Sequence, residues 1–359
     1  MEKSNIVKFL NQLIKNVKQG VRNIGIITDK DGTILLNDTL RETLRSFKEK
    51  NLGVNIYVIA NSGRTIQDMI NCLEQENIPI NYFDYIIGDN GAVCLDVKKN
   101  EQLYKEMLDK EIVLDVIKKF IDNGADISQI RITNGENIFA FPTEKVREYY
   151  EDQKDVIYKE DMLDLESIDI TKLTLSGPHE QIREINKYIK QKFKGYKTHI
   201  GKTNFPNKSE NNYRLDFTGM HTKGEAAKTL KEELGLDTCI YLGNDLNDIT
   251  MFSTALEDDD FIVIASHEHK KITEMLMSYL KQECATKGIR WEDTKLLVLE
   301  EENVNNFLNR ISKIMAVLNS KRKQSNILSK YRIKTDKKSK SHQKRHLPYG
   351  NKKQTKFYR

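Results

Sequence analysis

The 359-residue chain is predicted to be an α/β protein: a doubly wound, mainly parallel sheet carrying an inserted α+β unit. Three observations predict this. Short apolar runs that end in small or polar residues lie at 24–28, 54–60, 85–87, 239–242 and 261–264, the pattern of strands buried on both faces. Helix-period segments at 39–50, 65–76, 224–234 and 247–255 alternate with them, which implies right-handed βαβ crossovers. Between about 93 and 205 the alternation stops. There, 129–133 and 137–141 flank Asn134-Gly135-Glu136, a hairpin signal. Helical runs at 110–122 and 179–193 and further strand candidates at 171–176 and 213–217 complete an α+β pattern.

From the N-terminus, Ile6, Leu10, Leu13 and Val17 recur at helical spacing, so residues 1–22 are expected to supply an amphipathic helix packed on the body. A discontinuous, Rossmann-like core is assigned to 23–92 and 206–318, interrupted by the insertion at 93–205. Late in the core, 270–282 and 303–318 have helical period, and 295–299 is a possible edge strand. Residues 319–359 form a basic tail. Residues 321–359 hold 15 Lys and Arg against Asp336 alone, a balance of +14, which leaves the rest of the chain at −9 of the total +5. With few large apolar residues to offset its ordering entropy, this tail is expected to be disordered.

Composition narrows the function classes. A hydrophobic fraction of 38% with 31% charged residues fits packed cores under a well-solvated surface. Cys72, Cys94, Cys239 and Cys284 are scattered, without a C-x-x-C pair or matching histidines, so neither a zinc site nor a disulfide framework is expected, and a reducing cytoplasm fits. No segment has the roughly 18 apolar residues of a membrane span.

Four polar clusters follow predicted strands or open helices. Asp29-Lys30-Asp31-Gly32-Thr33 comes directly after the first strand, where open α/β sheets bind ligands; its plainer reading is a loop turn. In Ala60-Asn61-Ser62-Gly63-Arg64, Ser62 can donate to a phosphate oxygen beside backbone N–H groups, or simply cap the next helix. Lys223, in Thr222-Lys223-Gly224-Glu225, is either a phosphate-binding charge or a surface lysine. Gly243-Asn244-Asp245-Leu246-Asn247-Asp248 gathers hard oxygen ligands suited to Mg2+, or forms an Asx-rich helix cap.

Taken together, in this order, the clusters resemble the four motifs of the haloacid dehalogenase superfamily. Asp29 and Asp31 match the first motif, Ser62 the second, Lys223 the third and 243–248 the fourth. The resemblance covers about residues 23–265, and the insertion between the second and third motifs is similar to the C2-type cap of subfamily IIB, the Cof-type or sugar-phosphatase-like branch. Ile87-Gly88-Asp89-Asn90-Gly91-Ala92 resembles the segment that leads into that cap.

The resemblance implies a phosphomonoester hydrolase. Asp29 would attack phosphorus and form an aspartyl-phosphate, Asp31 would act as acid and then base, and Gly32, Thr33, Ser62, Gly63 and Lys223 would bind the phosphoryl group. It implies Mg2+ held by Asp29, Asp31 and residues among Asn244, Asp245 and Asp248. The fourth motif normally begins Gly-Asp, and Asn244 stands at the Asp position. Either its neutral oxygen holds the metal more weakly or Asp245 replaces it, while Asp248 supports the shell or orients Lys223. Lys30 is expected to point away. The substrate class implied is a small phosphorylated metabolite, a sugar such as trehalose phosphate first. The alternatives are a weakly active or inactive binding or regulatory protein of this fold, and contact of the basic tail with RNA or another polyanion. The oligomeric state is not legible.

Overall fold

A computed structural model describes residues 2–50, 52–206, 212–266 and 270–343. After α1 (Glu2–Gln19), the strand β1 (Asn23–Thr28) leads through α2 (Asp38–Glu49) to β2 (Asn55–Asn61), and α3 (Ile66–Gln75) leads to β3 (Tyr85–Gly88). A hairpin of β4 (Val93–Asp96) and β5 (Glu101–Lys105) follows. The insertion then contributes α4 (Lys110–Asp122), β6 (Ile130–Thr133), β7 (Ile138–Ala140), α5 (Glu144–Tyr149), β8 (Val156–Tyr158), β9 (Lys172–Gly177), α6 (His179–Lys192), β10 (Lys197–Thr203) and β11 (Asn212–Thr218). The chain returns through α7 (Lys223–Glu233), β12 (Thr238–Gly243), α8 (Ile249–Glu257), β13 (Phe261–Ser266), α9 (Lys270–Lys287), β14 (Lys295–Glu300) and α10 (Glu301–Gln343).

The core sheet runs β14-β13-β12-β1-β2-β3-β4-β5. It is parallel from β14 to β3, and β4 and β5 extend it antiparallel. This is the doubly wound sheet that the buried apolar runs predict. Alternation along each strand divides its side chains between two layers. Ile24, Ile26 and Val58 pack with α1, α2, α3 and α10, whereas Ile27, Ile59 and Tyr241 pack with α7, α8 and α9. The apolar stripe of α1 is buried through Phe9, Leu13 and Val17, and the Phe9 ring lies 4.7 Å from Phe261 and 5.3 Å from Phe307. Strand order reverses at β1, with β2 on one side and β12 on the other. The crevice beyond β1 and β12 is the place such a fold offers a ligand.

The second sheet runs β10-β11-β9-β6-β7-β8. One face is apolar and covered by α4 and α6 through Val113, Ile117, Phe120, Ile182, Ile185 and Ile189. The opposite face faces the crevice. Its pairing moves the expected insertion boundaries: β4 and β5 belong to the core sheet, and β11, expected in the core segment 206–318, pairs with β9 and β10. The insertion therefore lies between Lys105 and α7. A hydrophobic strand reads alike in either sheet, and only the register identifies its partner.

The tail also differs from expectation. Where disorder is expected from residue 319, the helix α10 continues to Gln343 over 43 residues. Lys, Arg, Gln and Leu are strong helix formers and no proline occurs between 301 and 343, so local propensity supports the helix. Residues 344–359 lie outside the described residues. All four cysteines are free, and among the described residues no helix is long and apolar enough to cross a membrane.

Candidate active site

Asp29 leaves β1 at its carboxyl end and its N–H donates to Leu242 O on β12 at 2.9 Å. That bond continues the β1–β12 ladder by one residue and aims the side chain over the sheet edge. Asp29, Asp31, Ser62, Gly63, Asn244 and Asp245 line one cavity of about 320 Å³ between the two sheets. Gly32 and Thr33, expected to bind phosphate, do not line it. Thr33 is buried and its hydroxyl donates to Asn244 Oδ1 at 3.2 Å, so it braces the fourth cluster from behind.

Lys223 is the first residue of α7, whose start is fixed by a capping box of Thr222 and Glu225. It is 1% exposed, which rules out the surface-lysine reading. Its Nζ donates to Asp29 Oδ1 at 2.7 Å and to Asp248 Oδ1 at 2.8 Å. Asp248 Oδ2 accepts the backbone N–H groups of Asn244 at 2.8 Å and Asp245 at 3.0 Å. Both Asp248 oxygens are thus engaged, and this residue, expected either among the metal ligands or to orient Lys223, stands behind Lys223 as its anchor. Gly243 permits the approach, because a Cβ there would fall 2.6 Å from Asp248 Cγ. Burial raises the Asp29 carboxyl above its ordinary value, against the attraction of Lys223, and Asp248 adds to the rise. Burial alone would weaken the Lys223 ammonium, but its two carboxylates outweigh that and hold it protonated.

Asp31 is held from two sides. Arg64 donates through Nε to Oδ2 at 2.6 Å and through Nη2 to Oδ1 at 3.0 Å, and Lys30 Nζ reaches Oδ1 at 2.8 Å. Lys30, expected to point away, turns toward its neighbour because that carboxylate is the nearest anion. Burial favours the neutral acid, but Arg64 and then Lys30 overcome it and set the Asp31 carboxyl at about 2. Arg64 is itself fixed by Asp68 at 2.8 Å. Ser62 accepts from the Arg64 N–H at 3.2 Å. The helix cap is Thr65 rather than Ser62, so the Ser62 hydroxyl is left at the cavity wall. Asp245 caps the short turn Leu246–Asp248, as its plainer reading expects, and also lines the cavity.

Above these residues lies the polar face of the second sheet. Thr133 and Lys172 form one cross-strand pair, and Arg131, Thr174 and Asp216 form the next row outward. The inner pair is tied to the core: Thr133 and Thr171 hydroxyls donate to Asp89 Oδ2 at 2.8 and 2.6 Å, and Lys172 Nζ lies 3.0 Å from Asp89 Oδ1 and donates to Gly63 O at 2.5 Å. Asp89 and Asn90 take left-handed backbone angles before Gly91 at φ 110°. A Cβ at Gly91 would meet Thr222 O at 2.4 Å, so this turn packs directly on the start of the helix that carries Lys223.

A family model described as haloacid dehalogenase-like hydrolase matches residues 26–257. The chain belongs to this family. Its α+β insertion lies between the second and third motifs, the arrangement expected of the Cof-type branch, subfamily IIB. Solved structures agree in fold. A haloacid dehalogenase-like hydrolase from Bacteroides thetaiotaomicron is 18% identical, with a TM-score of 0.58 over 81% of this chain and 100% of that one. A putative HAD/COF-like hydrolase from Plasmodium vivax is 16% identical, with a TM-score of 0.56 over 83% and 98%. A second Bacteroides thetaiotaomicron protein, from a study of phosphatases of this superfamily, is 14% identical, with a TM-score of 0.55 over 82% and 96%. No curated protein matches the chain in sequence.

For a haloacid dehalogenase-like hydrolase the donor chemistry around Asp29 suits Mg2+, which takes oxygen ligands only. Asp29, Asn244 and Asp245, whose side chains carry carboxylate and amide oxygens, line one cavity, and burial raises the Asp29 carboxyl despite Lys223. Among the described residues no three His, Cys, Asp or Glu side chains cluster as a metal site. A cation here would therefore draw on the neutral oxygen of Asn244 and has one formal charge fewer than the usual motif provides.

Several residues at the cavity carry no sequence expectation: Arg64, Arg131, Lys172, Thr174, Arg214 and Asp216. A signal exists for most of them. In Lys172-Leu173-Thr174-Leu175-Ser176 and Arg214-Leu215-Asp216-Phe217, polar and apolar residues alternate, and such a strand has one face in a core and one toward solvent or ligand. Which of those it faces depends on tertiary placement.

Proposed function

We propose that this haloacid dehalogenase-like hydrolase is a Mg2+-dependent phosphatase of small phosphorylated metabolites, working through an aspartyl-phosphate on Asp29. The observation that carries the reading is the chain of buried contacts from Asp248 through Lys223 to Asp29. It fixes one carboxylate oxygen and leaves the other, Oδ2, for nucleophilic attack. In the first step Oδ2 bonds to phosphorus, the bond to the leaving oxygen breaks with its electron pair, and Asp31 supplies the proton. In the second, water attacks the same phosphorus, Asp31 takes its proton, and Asp29 is regenerated. Lys223 and Ser62 balance charge on the phosphoryl oxygens in both steps. Asp29, Asn244 and Asp245 would hold Mg2+, which when bound supplies further neutralisation of those oxygens. The polar face of the second sheet supports a hydroxyl-rich substrate, with phosphorylated sugars, trehalose phosphate included, as the first class to try.

Two observations favour a second reading, that of a binding or regulatory protein: Asn244 removes a charge from the cation site, and Arg64 with Lys30 keeps Asp31 ionised. One experiment separates them. Inorganic phosphate released from a panel of sugar phosphates, with and without Mg2+, should depend on the metal and vanish in Asp29→Asn. Binding of the same compounds by folded, metal-saturated protein that releases no phosphate would establish the second reading instead. Contact of residues 321–359 with RNA or another polyanion is a separate proposal. Salt-sensitive RNA retention that survives deletion of those residues would rule it out.

A further inference from the structure

The cations of the cavity are paired with carboxylates, with one exception. Arg64 is held by Asp31 and Asp68, Lys172 by Asp89, and Arg214 by Asp216 at 3.3 Å. Arg131 has no carboxylate within ion-pair distance among the described residues. Its guanidinium lies 4.3 Å over the Phe205 ring, Nη1 donates to the Tyr150 hydroxyl at 3.1 Å, and Nε is shielded from solvent without a hydrogen-bond partner. The carboxylate that faces Arg131 across Thr174, Asp216, is already bound by Thr174 at 2.7 Å and by Arg214. A shielded donor without an acceptor is costly, and a guanidinium is built for an oxyanion. The Tyr150 hydroxyl accepts from Arg131, and burial, only partly opposed by Arg131, raises it to about 12. Its own proton is left to donate to a ligand beside the guanidinium. Nearby in the same cavity, Gln153 Oε1 is a shielded acceptor without a donor.

Position sets the size of what fits. Arg131 lies two residues along β6 from Thr133, which touches Asp89 at the core. At about 3.4 Å per residue that is roughly 7 Å further from the core, about the span of a sugar ring. Building on the phosphatase reading, we infer that Arg131 and Tyr150 form a distal subsite for a second anionic group, with Gln153 Oε1 left to accept from a hydroxyl of the same ligand, so the substrate is a hydroxylated phosphomonoester that also carries a carboxylate or a second phosphate.

The test reads equilibrium binding and does not depend on turnover. In the Asp29→Asn protein with Mg2+, calorimetry would compare glucose 6-phosphate, which is neutral at its far end, with 6-phosphogluconate and fructose 1,6-bisphosphate. At least one of the two ligands with a second anionic group should bind about tenfold more tightly or better, and whichever shows the larger advantage identifies carboxylate or phosphate. Adding Arg131→Gln should bring that advantage within about twofold, whereas Arg131→Lys should restore part of it. Equal affinities in the Arg131-containing protein, or an advantage that persists in a folded Arg131→Gln protein, would overturn the subsite. Failure of the phosphatase reading would appear separately, as no phosphate release by the unsubstituted protein.

Discussion

Arg64 clasps Asp31 with two nitrogens, at 2.6 and 3.0 Å, and so holds ionised the carboxyl proposed to protonate a leaving group. Its side chain is half exposed, at 50%, and has room to turn into the cavity. Asp31→Asn should lower kcat by about 10² to 10⁴-fold, the usual worth of general acid–base help, with a smaller change in substrate binding. Full kcat in that variant, in a phosphate-release assay, would remove Asp31 from the chemistry.

Lys223 is buried between two carboxylates. Lys223→Met should destabilise the protein by about 3–5 kcal/mol, since it leaves two buried carboxylates, Asp29 and Asp248, without their counter-charge. The pairing of Lys223 with Asp248→Asn should lose less than the sum of the separate substitutions. Denaturant unfolding of the two single variants and the double variant measures this coupling directly.

The core site was largely legible in sequence because its residues sit at ends of strands that announce themselves. Asp29 follows an apolar run, and Asn244 to Asp248 follow another. Lys223 opens a helix marked by Thr222 and Glu225. What sequence hid depends on which elements meet. Nothing in Ser62-Gly63-Arg64 says that Arg64 turns back to Asp31, and the alternation in β9 and β11 does not say that its polar side roofs a cavity. The hairpin of β4 and β5 was absorbed into the insertion because short strands carry no mark of the sheet they join. In the basic tail, high charge masked residues that are individually good helix formers.

Asn244→Asp adds one negative charge at the cavity while keeping an oxygen to accept from Thr33. Mg2+ should then bind more tightly, by roughly tenfold, since ligand charge count tunes the affinity of oxygen sites. Calorimetric titration of the purified protein decides it. Unchanged affinity would shift the cation toward Asp245.

Asp216 gives a pH dependence of stability. Burial would raise its carboxyl, but Arg214, then Lys172 and the Thr174 hydroxyl, outweigh it and set the folded value at about 2 against 3.8 for the free group. A depressed carboxyl contributes stability that is fully present above pH 3.8 and is lost as pH falls toward 2. The contribution is about 2 kcal/mol. Asp216→Asn should therefore flatten the acid limb of a stability curve between pH 4 and 2, measured by urea unfolding. An unchanged limb would show that its ion pairs carry no such weight.

The cluster at Asp89 bears on the core site as well as on architecture. One buried carboxylate gathers Thr133, Thr171 and Lys172 from the second sheet, and Lys172 also holds the carbonyl of Gly63 beside Ser62. The seam therefore ties the second sheet to the loop that carries Ser62, because the lysine that answers Asp89 also holds the Gly63 carbonyl. A substitution at Asp89 should for that reason be felt beside Ser62 as well as in the sheet that it anchors.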